Sequence, residues 1–202
     1  MSENLTRRSL LVRVRDADDD AAWAEFETLY RDLITRYARV RGLQPADADD
    51  VCQAVMARLC RSLRRFEYDS RKGRFRTYLY RAVRNAIVDQ FARPNRLPTA
   101  VQPDEATLLV ADTAEGGDAE WEREWENHHL RLAMATIRRT FDEASVQMFE
   151  RLLAGDSVEQ VAEAFGSTPP AVQKIKQRIR ARMQELIARQ IAEEDEPDAG
   201  PA

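Results

Sequence analysis

Glycine is scarce in this chain, with 7 among 202 residues, and no segment sustains the apolar-polar alternation of a half-buried strand. That argues against a sheet-rich architecture with its many tight turns. Cysteine is rarer still. Cys52 and Cys60 lie eight positions apart in one expected helix, about two turns, which is too far for a disulfide. Both read as small buried hydrophobes. The 2 histidines, His128 and His129, are adjacent and have no Cys or carboxylate constellation at metal-ligand spacing, so they read as structural and neither a metal nor a cofactor is expected. No apolar run reaches membrane length, and the opening MSENLTRRSLL has too short an apolar stretch for a signal peptide. A cytoplasmic protein without membrane contact is the expectation. A strong positive balance is missing too, since the formal net charge is -4. That sign by itself argues against a generally basic nucleic-acid binder.

What the chain has is helical periodicity. Ala, Leu, Arg, Glu and Gln dominate the periodic segments, and the length suits two small buried cores better than one large one. The fold class expected is all-α, as two small helical domains joined by an acidic linker, the C-terminal one a helix-turn-helix. Charge is segregated along the chain. Cations crowd the stretch from Arg58 to Arg96, while acid gathers near residues 16 to 20, 47 to 50, 104 to 126 and 193 to 198. Such sorting permits a local positive field under a negative total.

After a short basic and apolar segment, Asp16, Asp18, Asp19 and Asp20 favour a helix start through the macrodipole. Trp23, Phe26, Tyr30, Leu33, Ile34 and Tyr37 then give the first helix a broad core face, and Gly42 ends it. Beyond Pro45 the acids Asp47, Asp49 and Asp50 open a second helix, whose Val51, Val55, Leu59 and Leu63 share one side while Asp50 and Gln53 point away from it. The loop RRFEYDSRKGRF is basic and aromatic at once, which makes Arg71, Lys72 and Arg74 binding candidates. Phe75, Leu79, Val83, Ile87 and Phe91 set the buried side of a third helix, leaving Arg76, Tyr78, Arg81, Arg84 and Asn85 available for partners. Aromatics interleaved with cations are what a single nucleic-acid strand requires, because rings stack on unpaired bases as cations track phosphates. For any one of these Tyr residues, ordinary packing is the competing explanation.

Pro94 and Pro98 close this unit, and the polar, acidic stretch from Pro98 to Gly117 reads as linker. Trp121 and Trp125, one turn apart, are expected to begin a helix packed on the second domain, and the tail EEDEPDAGPA is too charged to fold alone. Ser157 and Gln160 stand in capping-box spacing, Gly166 suits a sharp helix stop, and Thr168 with Pro169 suits the next start. Along that next helix Val172, Ile175, Ile179, Met183 and Leu186 share one side, which leaves Gln173, Lys174, Lys176, Gln177, Arg178 and Arg180 on the rest of the surface. A major groove admits one such helix, whose Arg, Lys and Gln side chains pair with purine edges while neighbouring cations hold phosphates. A basic helix is also often only a solvated face.

Three stretches together resemble the sigma-70 family of bacterial RNA polymerase sigma factors, extracytoplasmic-function (ECF) type, over roughly residues 20 to 190. DADDVCQAVMARL is similar to the acidic helix that docks such factors on the polymerase clamp. GRFRTYLYRAVRNAIVDQF, with its Arg84-Asn85 pair and Asp89, is similar to their promoter-melting helix, and AVQKIKQRIRARMQEL to the helix that reads the upstream promoter element. The family usually has Gln-Glu where this chain has Gln53-Ala54, and often Trp where it has Tyr78.

The resemblance implies a sigma factor that directs RNA polymerase to promoters and assists initiation, not an enzyme. Polymerase binding falls to Asp47, Asp50 and Gln53. Downstream promoter binding falls to Arg71, Lys72, Arg74, Tyr78, Arg81, Arg84 and Asn85, and upstream binding to the six polar residues of the last helix. Its implied partners are core RNA polymerase and promoter DNA, both duplex and melted strand, with an anti-sigma factor as a further class the family allows. The domains expected are 1–97 for docking and melting, 98–127 as linker, 128–190 as the helix-turn-helix domain and 191–202 as an acidic tail. A helix-turn-helix regulator that binds duplex DNA without polymerase is the alternative, which leaves the Phe66 to Phe91 surface without a role. An enzyme using Asp47, Asp49 and Asp50 is weaker, because no nucleophile, base or phosphate-binding loop accompanies them.

Overall fold

A computed structural model of the chain describes residues 7–16, 18–63, 75–92 and 119–195, and among them every regular element is a helix. They divide into two compact units, the first running to Glu126 and taking in the chain from Ala192 onward, the second running from Asn127 to Ile191.

The first unit is built on α2 (Asp20–Val40), whose aromatic spacing dictates its packing. Phe26, Tyr30, Leu33, Ile34 and Tyr37 are buried, and Trp23 lies half-buried at the edge. Asp19 caps the helix by accepting from the Ala22 N–H at 2.8 Å, and it also receives the Arg13 guanidinium at 3.0 Å. Arg13 first, and then the Ala22 N–H, hold this carboxyl below its ordinary range. Arg13 ends α1 (Arg7–Arg13), a seven-residue helix where the composition had shown only a basic and apolar segment. Leu10 and Val14 carry its contact with the core. At the far end of α2, the Gly42 N–H reaches the Arg39 carbonyl and the Leu43 N–H reaches that of Ala38, with Gly42 at φ 93°. This paired closure stops the helix in one turn, and a glycine there avoids the strain a Cβ brings at positive φ.

Helices α3 (Pro45–Leu63) and α4 (Phe75–Phe91) complete the bundle. Val51, Cys52, Val55 and Leu59 of α3 face Leu79, Val83 and Ile87 of α4 across the core. Burial pushes the Cys52 thiol up to about 11, so it stays protonated. Phe75 is seated against Phe26 and Tyr30, with ring centroids 6.0 and 5.4 Å apart.

Helix α5 (Ala119–Thr140) carries Trp121 and Trp125 as expected and corrects where they pack: they enter the first unit's core rather than the second's. Trp121 is only 1% exposed and meets Tyr37 edge-on at 5.1 Å and Tyr80 at 5.5 Å. Ion pairs from Arg41 to Glu120, 3.2 Å, and from Arg76 to Glu122 flank the two rings.

In the second unit, the rest of α5 joins α6 (Glu143–Leu153), α7 (Val158–Ala164) and α8 (Pro169–Asp195). Met134, Ile137, Val146, Phe149 and Ile179 form one buried cluster, and Met148, Val161, Ala162 and Val172 form another; Ile175 packs against both. His128 and His129 are buried, and His129 Nδ1 lies 3.0 Å from Gln190 Oε1. The capping box at α7 is complete: Ser157 Oγ accepts from the Gln160 N–H and Gln160 Oε1 from the Ser157 N–H. At its end Gly166, φ 57°, donates to Glu163 and Ser167 donates to Ala162. The chain therefore turns over residues 165–168 and enters α8 at Pro169.

Truncating the more enclosed of the two indoles on α5 tests where that helix belongs. Trp121→Ala is expected to cost about 3–5 kcal/mol by loss of packing in the first unit, read as a lower urea midpoint in equilibrium unfolding.

Candidate functional site

The site residues expected from the sequence fall, where they are described, on α3, α4 and α8. On α3, Asp50, Gln53, Ala54 and Ala57 are exposed, with Val51, Val55 and Leu59 buried opposite them. The position where the family usually has a carboxylate, Ala54, is thus on the surface and owes nothing to packing. Asp47 behaves differently. It is half-buried, and its Oδ1 accepts a hydrogen bond from Nε2 of Gln90 at 2.8 Å. Gln90 is 5% exposed, and a buried amide without a partner costs about 1–3 kcal/mol. Asp47 therefore has a structural duty in tying α3 to α4. Asp49 lies 3.0 Å from Arg31, which also pairs with Glu27.

On α4 the exposed residues Thr77, Arg81, Asn85 and Asp89 recur every four positions and make one stripe. Tyr78 and Arg84 flank it, both half-buried, with the Tyr78 ring resting partly on the core. Asp89 pairs with Arg58 of α3 at 3.2 Å. Arg76 is the exception to the expectation that these side chains stay available: its guanidinium lies 5.7 Å from the Trp125 ring centroid and pairs with Glu122. It is used within the unit. Arg71, Lys72 and Arg74, with the loop that carries them, lie outside the described residues.

On α8, Gln173, Lys174, Gln177, Arg178 and Arg180 are exposed, whereas Lys176 is half-buried near the apolar side. Lys174, Lys176 and Arg180 have no carboxylate within ion-pair distance among the described residues. Arg178 has one, Asp142, at 4.0 Å, and its guanidinium carbon lies 5.0 Å from the centroid of Phe141. Neither Phe141 nor Asp142 stood out as a neighbour of this helix in the sequence. The spacing of Asp142 before Ser145 does mark a helix cap, and it is one, with the Ser145 N–H donating at 2.8 Å. Among the described residues no cluster of His, Cys, Asp and Glu is placed to hold a metal ion, and no helix is long and apolar enough to cross a membrane.

Residues 28–97, which include α3 and α4 entire, match the family model for sigma-70 region 2. A curated relative, the ECF RNA polymerase sigma factor RpoE of Cereibacter sphaeroides, is 25% identical over 179 residues, which is 88% of this chain and 91% of that one. A solved structure of CnrH in complex with the cytosolic domain of CnrY aligns at 20% identity with a TM-score of 0.36, covering 90% of this chain and 96% of that one. Residues 28–97 are thus similar to sigma-70 region 2, and the chain over most of its length is similar to an ECF sigma factor.

The site geometry separates two aspartates that sequence alone groups together. Asp47→Ala is expected to destabilise the protein by about 1–3 kcal/mol through the stranded Gln90 amide, while Asp50→Ala should stay within about 0.5 kcal/mol of the parent. Urea denaturation of the two variants side by side checks this.

Proposed function

We propose that the chain brings RNA polymerase to promoters and helps open them, with a separate task on each of the three faces. What supports this most is that the residues matched to sigma-70 region 2 contain two helices with opposite exposed chemistry. The α3 face offers a carboxylate and an amide, and the α4 stripe offers cation and amide beside an aromatic ring.

Asp50 and Gln53 are the docking residues in this reading, since both are exposed and neither belongs to the core. On α4, Arg81 and Asn85 with Tyr78 at their edge hold the unpaired strand. Extruding a base costs roughly a few kcal/mol, and stacking on a ring returns about 1–3 kcal/mol per base, with phosphate neutralisation in addition. Opening in this way requires no nucleotide hydrolysis by the protein. In the second unit α7 and α8 form the helix-turn-helix, and Lys174 and Gln177 face upstream duplex DNA. Arg71, Lys72 and Arg74 are assigned to downstream promoter binding as well, and the domains keep the tasks first assigned to them, with residues 119–126 counted with the first.

Co-purification with core RNA polymerase tests docking. Asp50→Ala and Gln53→Ala are each expected to lower the retained fraction several-fold while the circular dichroism spectrum stays unchanged, and full retention by both variants removes α3 from the contact.

Strand opening is tested separately. Arg81→Ala combined with Tyr78→Leu, which keeps an apolar side chain on the core but loses the aromatic face, should spare polymerase association and abolish most permanganate reactivity of promoter thymines. A pre-melted template should restore transcription at least in part. Normal reactivity in the double variant assigns both residues to packing and solubility alone.

A further inference from the structure

Helical spacing centres the exposed side of α8 on Lys174, Gln177 and Ala181, with Gln173 and Arg180 on one flank and Arg178 on the other. Arg178 differs from its neighbours in what it touches. The Phe141 ring centroid lies 5.0 Å from the guanidinium carbon, and the Asp142 Oδ2 lies 4.0 Å from one terminal nitrogen. Phe141 and Asp142 form the corner between α5 and α6, so two residues from outside α8 bear on this one side chain. Asp142 is itself held in place, because its Oδ1 caps α6 by accepting from the Ser145 N–H. The hydrogen bonds from Ser145 most, and the charge of Arg178 least, keep its carboxyl below the ordinary range, so it is ionised at neutral pH. Yet the pair is open, with 59% of the Arg178 side chain and 64% of the Asp142 side chain exposed.

We propose that Phe141 and Asp142 aim Arg178 at one backbone phosphate of the upstream duplex, making it a positioning clamp beside the base-facing Lys174 and Gln177 and not a base reader. This rests on the assignment of α8 to duplex DNA made above. Reading a guanine requires both terminal groups of the fork to swing toward the groove floor in one plane. A guanidinium whose carbon lies 5.0 Å from a ring at the flank of the helix, and whose terminal nitrogen lies 4.0 Å from a carboxylate, has its nearest neighbours on that flank. A phosphate needs only the nitrogens left over, and it approaches from the flank where the strand runs. Asp142 then has two opposing effects. It orients the arginine, and it competes with the incoming phosphate for that arginine's charge.

Asp142→Asn separates charge from capping, because Asn caps a helix as well as Asp does. The full chain in complex with core RNA polymerase is titrated with a random-sequence duplex library across a range of salt, and the bound fraction is sequenced. Arg178→Gln is expected to lower the slope of log affinity against log salt by about one without relaxing the preference at any base position. Asp142→Asn should tighten binding about two- to fivefold, the scale of an exposed ion pair, and have no effect once Arg178 is already Gln. Loss of preference at one base position in Arg178→Gln makes that residue a reader and overturns the clamp. Equal tightening by Asp142→Asn in both backgrounds shows a general charge effect and overturns it as well. If the parent complex binds duplex without any sequence preference, the assignment of α8 fails and takes the clamp with it, an outcome distinct from the first two.

Discussion

Phe75 is the contact on which the placement of α4 depends. Its ring packs against Phe26 and Tyr30 of α2, 1% exposed, at the first residue of the helix. A buried aromatic of this size contributes on the order of 1.5–3 kcal/mol through burial, and here it also sets rotation. The same helix carries that ring at Phe75 and, at Gln90 near its other end, the amide that donates to Asp47. With both ends tied, the stripe of Thr77, Arg81, Asn85 and Asp89 has only one direction in which to face. The functional surface is therefore the complement of the packing surface, and a sequence under selection for one is constrained in the other.

Much of this was legible without coordinates, because it rests on spacing within single helices. The aromatic run from Phe26 to Tyr37 announces one buried side, and the capping box at Ser157 and the stop at Gly166 are signals read from neighbours in the chain. What was not legible depends on partners far apart in sequence. Trp121 and Trp125 show by their spacing that they share a helix side, but periodicity is silent on which core that side enters, and they enter the one containing Tyr37. The same holds for Arg76, whose Glu122 partner follows a long intervening segment. Asp47 looked like one more member of an acidic first turn until Gln90 claimed it. Helix α1 escaped notice because seven residues are too few to establish a period.

Charge pairing explains how a chain with a formal net charge of -4 carries basic working faces. Many arginines are engaged close to home: Arg31 with Glu27 and Asp49, Arg36 with Asp32, Arg138 with Glu150, Arg151 with Asp156 and Arg182 with Glu185. Each exposed pair of this kind is worth only about 0–1 kcal/mol. Their larger effect is on the field, since a paired arginine presents little net charge to a passing phosphate. Lys174 and Arg180 on α8 lack such a partner among the described residues, so their positive charge is left unneutralised on the exposed side of that helix.

Arg178 lies between these two groups, and its intermediate state has a physical use. A fully paired arginine has to give up its carboxylate before meeting DNA, whereas a wholly free one loses most of its rotamer freedom on binding. With the ring of Phe141 as a support and Asp142 at the outer limit of ion-pair distance, much of that ordering is already done in the free protein while the electrostatic hold is weak. Preorganisation lowers the ordering cost of a contact without adding to the contact itself. The same reasoning accounts for the position of Asp142 as a helix cap: a carboxylate fixed by the Ser145 N–H can steer a neighbouring arginine without following it into the interface.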